Sequence, residues 1–162
     1  MSSSSSVPID RISVDAYLIP TDMPESDGTL AWDATTLVLV RVAASGCEGL
    51  GYTYADRATA ALIHDKLMPL LTGCDAMAIG ARWQQMAVAL RNLGRPGICA
   101  MAIAAVDNAL WDLKAKLLDL PLAALLGQAR PAIAIYGSGG FTSYTTQQLQ
   151  RQFGDWAAAG FS

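Results

Sequence analysis

The sequence is short of cysteine, histidine, aromatic residues and charge. Its three cysteines, Cys47, Cys74 and Cys99, are odd in number, far apart and never spaced Cys-x-x-Cys. That argues against a disulfide framework or a zinc site and points to reduced thiols in a cytoplasmic compartment. The single histidine, His64, has no acid and cysteine pair nearby and reads as an ordinary side chain of a helix. Charged residues are 15% of the 162, against 52% hydrophobic, so polar surface is scarcer than in a typical globular domain. Eleven Lys and Arg are scattered under a formal net charge of −3. Nucleic acid is excluded as a partner, because phosphate binding needs clustered cations. No window approaches the roughly 20 apolar residues of a membrane span. The start, MSSSSSVPID, lacks the cationic and apolar regions of a secretory signal, and residues 1–6 read as a disordered polar tail.

What is present falls into two textures. Ile12, Val14, Ala16 and Leu18 alternate along 9–19, and TTLVLVRV at 35–42 is rich in β-branched residues, so both predict strands. Ser45-Gly46 then turns the chain into EGLGYTY at 48–54, a third strand, which gives an antiparallel meander. From Asp56, a suitable N-cap, the spacing becomes helical. Ala60, Ile63, Leu67 and Leu70 share a face, and Pro69 signals a stop. A second helix is predicted over 78–93, with Gly94 to cap it and Pro96 to open a third over 96–118. The third carries Met101, Ala105, Val106, Ala109, Leu110, Leu113 and Leu117 at helical steps, and a short fourth runs from Pro121 to Gly127.

The third helix contains DNALWDLKAK, in which Asp107, Trp111, Lys114 and Leu118 form a stripe beside the apolar one. Asp112 precedes Lys116 by four residues, the favourable order for an ion pair. The stripe reads either as a solvated flank or as a surface that meets further structure. After it, AIAIY at 132–136 predicts a buried-type strand, GSGG at 137–140 a loop, and 145–159 a helix with Leu149, Phe153, Trp156 and Ala157 in phase. One such β-loop-α unit cannot satisfy its own backbone or cover both faces of its strand.

AVDNALWDLKAK followed by LPLAALLG, and then AIYGSGG, resemble the enolase superfamily in its mandelate racemase and muconate-lactonizing branch. The resemblance covers residues 7–162 and is specific at 105–127. It implies an α+β fold: a capping domain over 7–130, made of a three-stranded antiparallel meander and a helical bundle. Residues 131–162 would then be the first strand and helix of an incomplete TIM-type barrel. It also implies abstraction of a proton α to the carboxylate of a hydroxy acid or sugar acid, with Mg²⁺ bound by later barrel strands. The activity would be that of a racemase or dehydratase. None of the family's catalytic or metal residues falls within this sequence. Lys114 and Lys116 form a Lys-x-Lys, but on a helix before the first barrel strand. No metal or catalytic residue is therefore expected on this chain, which alone is expected to be inactive.

Specificity is what the resemblance leaves to this piece. The loop expected at 20–32, PTDMPESDGTLAW, ends in Trp32 and can close over a ligand. Tyr52 and Tyr54 offer hydroxyl groups to polar substrate atoms or serve as packing residues. Tyr136 and Ser138 would face the substrate mouth, since barrel sites lie at the C-terminal ends of strands. GSGG is neither GxGxxG nor a P-loop, so a phosphate site is not supported. A full barrel takes roughly 250 residues, so the chain is expected to be truncated, with bare apolar surface and a tendency to form a homo-oligomer. A non-catalytic module that complements a separate barrel chain is the alternative.

Overall fold

The computed structural model describes residues 6–161. Residues 1–5 of the expected tail lie outside the described residues. The chain divides into two compact units, 1–18 with 36–127, and 19–35 with 128–162. A single three-stranded sheet is present among the described residues, in the order β1 (Arg11–Ser26), β2 (Ala31–Ala44), β3 (Cys47–Tyr54).

β2 explains the meander. Val38, Val40, Val42 and Ala44 alternate along it and all four are fully buried, the period-two pattern of a strand with one face on a core. It pairs antiparallel with β3 from Leu37↔Tyr54 to Ala44↔Cys47. The connection is the two-residue turn Ser45-Gly46, whose φ values of 49° and 78° are those of a type I′ turn. The Asp10 carboxylate accepts from the Ser45 N–H at 3.0 Å and holds that turn. On β1, Ile12 is buried and Val14 and Ala16 pack against the core, whereas Leu18 is exposed.

The expected loop at 20–32 is mostly strand. β1 runs to Ser26 and β2 starts at Ala31, which leaves a turn at 27–30. Pro20 and Pro24 suggest a loop by local rules, but β1 is an edge strand and such a strand tolerates residues without an N–H. The Asp27 carboxylate closes the turn by accepting from Thr29 N–H at 2.8 Å, Thr29 Oγ1 at 2.7 Å and Leu30 N–H at 2.9 Å.

Asp56 caps α1 (Arg57–Leu62) by accepting from Ala58 N–H. The helix does not stop cleanly at Pro69. It widens into a π-helical turn at Ile63–Leu67 and continues as α2 (Met68–Leu71). Proline lacks an N–H and crowds the carbonyl four residues back, and a wide turn relieves both defects. The turn also shifts the register, so Ile63, Leu67 and Leu71 are fully buried while Ala60 and Leu70 are only partly so. α3 (Ile79–Ala89) ends earlier than predicted and passes through a 3₁₀ turn at Arg91–Leu93. α4 (Ile98–Leu117) follows Gly97, and α5 (Leu122–Leu125) is a single turn. Ala102, Ala105, Val106, Ala109, Leu110 and Leu113 of α4 are fully buried; Met101, expected on that stripe, is exposed.

β3 lies directly on α4. A Cβ at Gly49 would collide with the Ala109 carbonyl and Leu113, and one at Gly51 with the Ala105 carbonyl and Ala109. Alternation on β3 turns Gly49 and Gly51 inward and Glu48, Leu50, Tyr52 and Tyr54 outward. Glycine is therefore required for backbone-to-backbone packing, not for chain flexibility.

The predicted strand at 132–136 is not formed, and the one sheet does not include it. A buried-type strand needs neighbours on its edges and faces; here Ile133 and Tyr136 are about three-quarters exposed, at 75% and 76%. The helix after it, α6 (Thr146–Ala158), is present and opens with a Thr145–Gln148 capping box. GSGG packs on this helix. A Cβ at Gly137 or Gly139 would meet Trp156 or Gln152, and Gly140 N–H donates to Gln152 Oε1 at 3.0 Å.

Gly51→Ala is expected to lower stability by roughly 1–3 kcal/mol or more through overpacking. Gly80→Ala, at a helical position with open space around it, should instead stabilise by roughly 0.5–1 kcal/mol. Urea denaturation of the two variants checks the opposite signs.

Candidate functional site

The hairpin turn between β1 and β2 belongs to the second unit and is fastened to the 141–148 segment. Thr142 N–H and Oγ1 both donate to the Ser26 carbonyl at 3.0 Å, and the Ser26 and Thr142 hydroxyls meet at 2.6 Å. Ser143 Oγ donates to the Pro24 carbonyl at 2.8 Å, and Gln148 Nε2 approaches Met23 Sδ at 2.9 Å. Trp32 is half-buried there. Its indole N–H donates to Glu25 Oε2 at 2.6 Å, and its ring meets Phe141 edge-on at 5.5 Å. Phe141 in turn meets Tyr144 at 5.5 Å. Burial raises the Tyr144 phenol above its ordinary value, helped by the negative charges of Glu25 and Asp22. The indole N–H of Trp32 is thus already committed, and what it offers a ligand is ring surface.

In the first unit, Tyr52 and Tyr54 project from the outward face of β3, 52% and 60% exposed, with ring centroids 6.0 Å apart. Leu50, Gly51, Tyr52, Asn108, Asp112 and Leu122 line a cavity of about 370 Å³ beside them. Tyr136 and Ser138 are exposed in the second unit. The structure therefore brings Tyr52 to Tyr54, and brings Trp32 to Phe141 rather than to Tyr136 or Ser138. Phe141 and Thr142 are not legible in the sequence, because their partners Trp32 and Ser26 lie over a hundred residues away, and Glu25 and Tyr144 join the cluster only once the hairpin and this segment meet.

DNALWDLKAK meets further structure. Asp112 pairs with Lys116 at 2.8 Å and also accepts from Leu50 N–H at 2.8 Å, while Lys116 Nζ donates to the Glu48 carbonyl at 2.9 Å. β3 is an edge strand, and these two side chains satisfy backbone groups on its open side. Lys114 Nζ donates to the Met77 carbonyl at 3.1 Å and sits 5.5 Å over the Trp111 ring. Both lysines of the Lys-x-Lys are thus occupied in holding the fold. Burial raises the Asp107 carboxyl above its ordinary value, against a hydrogen bond from Trp111. At Asp112 burial is outweighed by the hydrogen bonds from Lys116 and Leu50 and by the Lys116 charge, and the carboxyl falls below its ordinary value.

Among the described residues no three His, Cys, Asp or Glu side chains gather as a metal site. His64 is exposed beside Asp65, and all three cysteines are thiols. No helix of the described residues is long and apolar enough to cross a membrane.

Three titrations follow. The Asp27 carboxyl, held by Thr29 and Leu30, should titrate at about 2 by NMR, so the turn is stabilised above the usual carboxylate range and loosens as pH falls through that value. Asp112 carries the same sign: its contribution is present at neutral pH and disappears on acidification, and Asp112→Ala should cost about 1 kcal/mol at pH 7. Asp107 carries the opposite sign, because ionising it opposes the folded state. Asp107→Asn should be more stable than the parent at neutral pH, with the gain shrinking as the pH falls and gone below about pH 4. Thermal melts across pH distinguish the two.

Residues 14–127 match the family model "Mandelate racemase / muconate lactonizing enzyme, N-terminal domain". The chain is 36% identical over 159 residues to a 3,6-anhydro-alpha-L-galactonate cycloisomerase from Streptomyces coelicolor, covering 94% of this chain and 44% of the relative. Among solved structures, a mandelate racemase/muconate lactonizing enzyme-like protein from Rubrobacter xylanophilus superposes with a TM-score of 0.91 at 53% identity, over 94% of this chain and 43% of that one. An L-talarate/galactarate dehydratase from Salmonella typhimurium, liganded with Mg and L-lyxarohydroxamate, gives a TM-score of 0.84 at 27% identity, over 98% and 43% of the two chains. The chain thus spans less than half the length of these relatives.

Proposed function

Because the chain belongs to the mandelate racemase / muconate lactonizing enzyme family, matching its N-terminal domain, we propose that it is the capping part of a Mg²⁺-dependent enzyme acting on a hydroxy acid or sugar acid. In this reading 7–130 is the capping domain and 131–162 begins a barrel. The intact protein removes the proton α to the substrate carboxylate, as a racemase or dehydratase. The observation that carries the reading is the match of sequence and fold over 94% of this chain to relatives more than twice its length.

The cap's task is to bind, orient and exclude water. A carbon acid next to a carboxylate is too weak for a side-chain base until the developing charge is stabilised in a dry site. Magnesium would supply that stabilisation as a Lewis acid. The described residues gather no ligand set for it, so no step through the metal is assigned to this chain.

We assign substrate-binding roles to Trp32, Tyr136 and Ser138 on the second unit and, separately, to Tyr52 and Tyr54 on the first. Trp32 presents ring surface held by Glu25, which orients it without using the ring face. Tyr52 and Tyr54 supply outward hydroxyl groups for the polar atoms of an acid sugar. Tyr136 and Ser138 are exposed at the end of the segment that would become the first barrel strand. With no catalytic base or metal ligand assigned to it, the 162-residue chain alone is expected to be inactive.

The test is an assay of the polypeptide from the whole reading frame against a panel of acid sugars with Mg²⁺ in D₂O. Solvent deuterium should appear at the carbon next to the carboxylate, and chelation of the metal should abolish it. Trp32→Ala in that protein should raise KM about tenfold or more, roughly 1.4 kcal/mol of lost binding. Absence of exchange across the panel, or turnover by the 162-residue chain by itself, would contradict the proposal.

A further inference from the structure

The hairpin of the second unit, residues 19–35, carries the acids Asp22, Glu25, Asp27 and Asp33 and no Lys, Arg or His. Three of these acids have work inside the unit. Glu25 holds the Trp32 indole, Asp27 closes the turn, and Asp22 joins Glu25 in adding to the burial that raises the Tyr144 phenol. Asp33 has none. Its carboxylate is exposed and has no hydrogen-bond or ion-pair partner among the described residues. With Pro24, Ala31 and Trp32 it lines a cavity of about 340 Å³, within the range of small-molecule sites, roughly 300–1,000 Å³.

Pro24, Ala31 and the Trp32 ring give this cavity an apolar wall, and Asp33 gives it an acceptor. Such a wall packs against the C–H faces of a hydroxylated carbon chain, while an ionised carboxylate accepts from the hydroxyl groups in charge-assisted hydrogen bonds. The same cavity has nothing to offer a carboxylate. An ionised Asp33 has no proton to donate, and Arg130 and Arg151, the cations of the 128–162 segment, do not line it. An anion brought beside Asp33 also meets the field of Asp22, Glu25 and Asp27. Like charge set where a competitor must bind rejects that competitor and leaves the uncharged ligand unaffected.

We infer that Asp33 is a specificity-determining residue: the cavity it shares with Trp32 takes the uncharged, hydroxylated end of an aldonic acid and rejects the second carboxylate of an aldaric acid. The inference rests on the proposed function and deepens it. In that reading the reacting end of the substrate belongs to the barrel, and the far end is left to the hairpin.

The test measures kcat/KM of the polypeptide from the whole reading frame, with Mg²⁺, for aldonic acids each set beside the aldaric acid of the same configuration. Aldonic acids should be favoured by about tenfold or more, the effect of one or two like charges at close range. Asp33→Asn keeps an acceptor oxygen and removes the charge, and should narrow that ratio at least about threefold. Added salt should narrow the ratio in the parent and have less effect on it in Asp33→Asn, because screening acts only on charge. A merely structural role for Asp33 would move neither the ratio nor its salt dependence. Asp65→Asn, which removes an exposed acid of the first unit, is the control and should leave the ratio as it is. Aldaric acids used as well as aldonic acids, or a ratio indifferent to Asp33→Asn, overturn the inference while the proposed function stands. Failure of α-hydrogen exchange with every acid of both classes overturns the proposed function, and the inference with it.

Discussion

The first unit depends on the contact between β3 and α4. Two inward positions of β3 are glycine, so the strand lies against the helix with no side chain between the backbones. The helix answers with alanines at 102, 105 and 109, all fully buried. Small residues on both sides convert side-chain volume into close backbone packing, and nothing larger fits without moving the strand. β2 then has a fixed neighbour, and its valines join the same buried core.

A close approach of this kind leaves the open side of β3 beside the polar stripe of α4. The arrangement explains why a mostly apolar helix carries so many ionisable groups. Asp112 and Lys116 satisfy an N–H and a carbonyl of the edge strand, and Lys114 satisfies the carbonyl of Met77. The ion pair alone contributes little on a wet helix. Its value lies in blocking an edge that would otherwise pair with another strand. Asp107 stands apart, half-buried and unfavourable to ionise, beside a cavity of about 230 Å³ that it shares with Trp83, Arg95 and Asn108.

Much of the meander was legible from local pattern. The valine alternation, the Ser45-Gly46 turn and the Asp56 cap each depend on residues a few positions apart. Helical faces were largely legible, but Met101 is exposed on α4, and Pro69 forced a wide turn that moved the buried position from Leu70 to Leu71. The hairpin at 20–32 misled because its prolines obey the edge-strand exception, which is visible only once the strand order is known. The segment at 132–136 has strand composition but joins no sheet, since composition cannot supply a neighbour. Trp32 reads in sequence as the end of a loop but lies inside β2, and its partners Glu25 and Phe141 are not legible from local pattern. The glycines of β3 were readable as a strand and silent about the helix they touch.

The central claim is that β3 and α4 form one cooperative body through glycine-permitted backbone contact. Native-state hydrogen exchange at single-residue resolution tests it most directly. The account predicts that the Gly49 and Gly51 amides and the Leu50 amide exchange with the same opening free energy as Ala109 and Leu113 on the helix. Exchange of the three strand amides through a separate, much easier opening, while the helix stays protected, would contradict it.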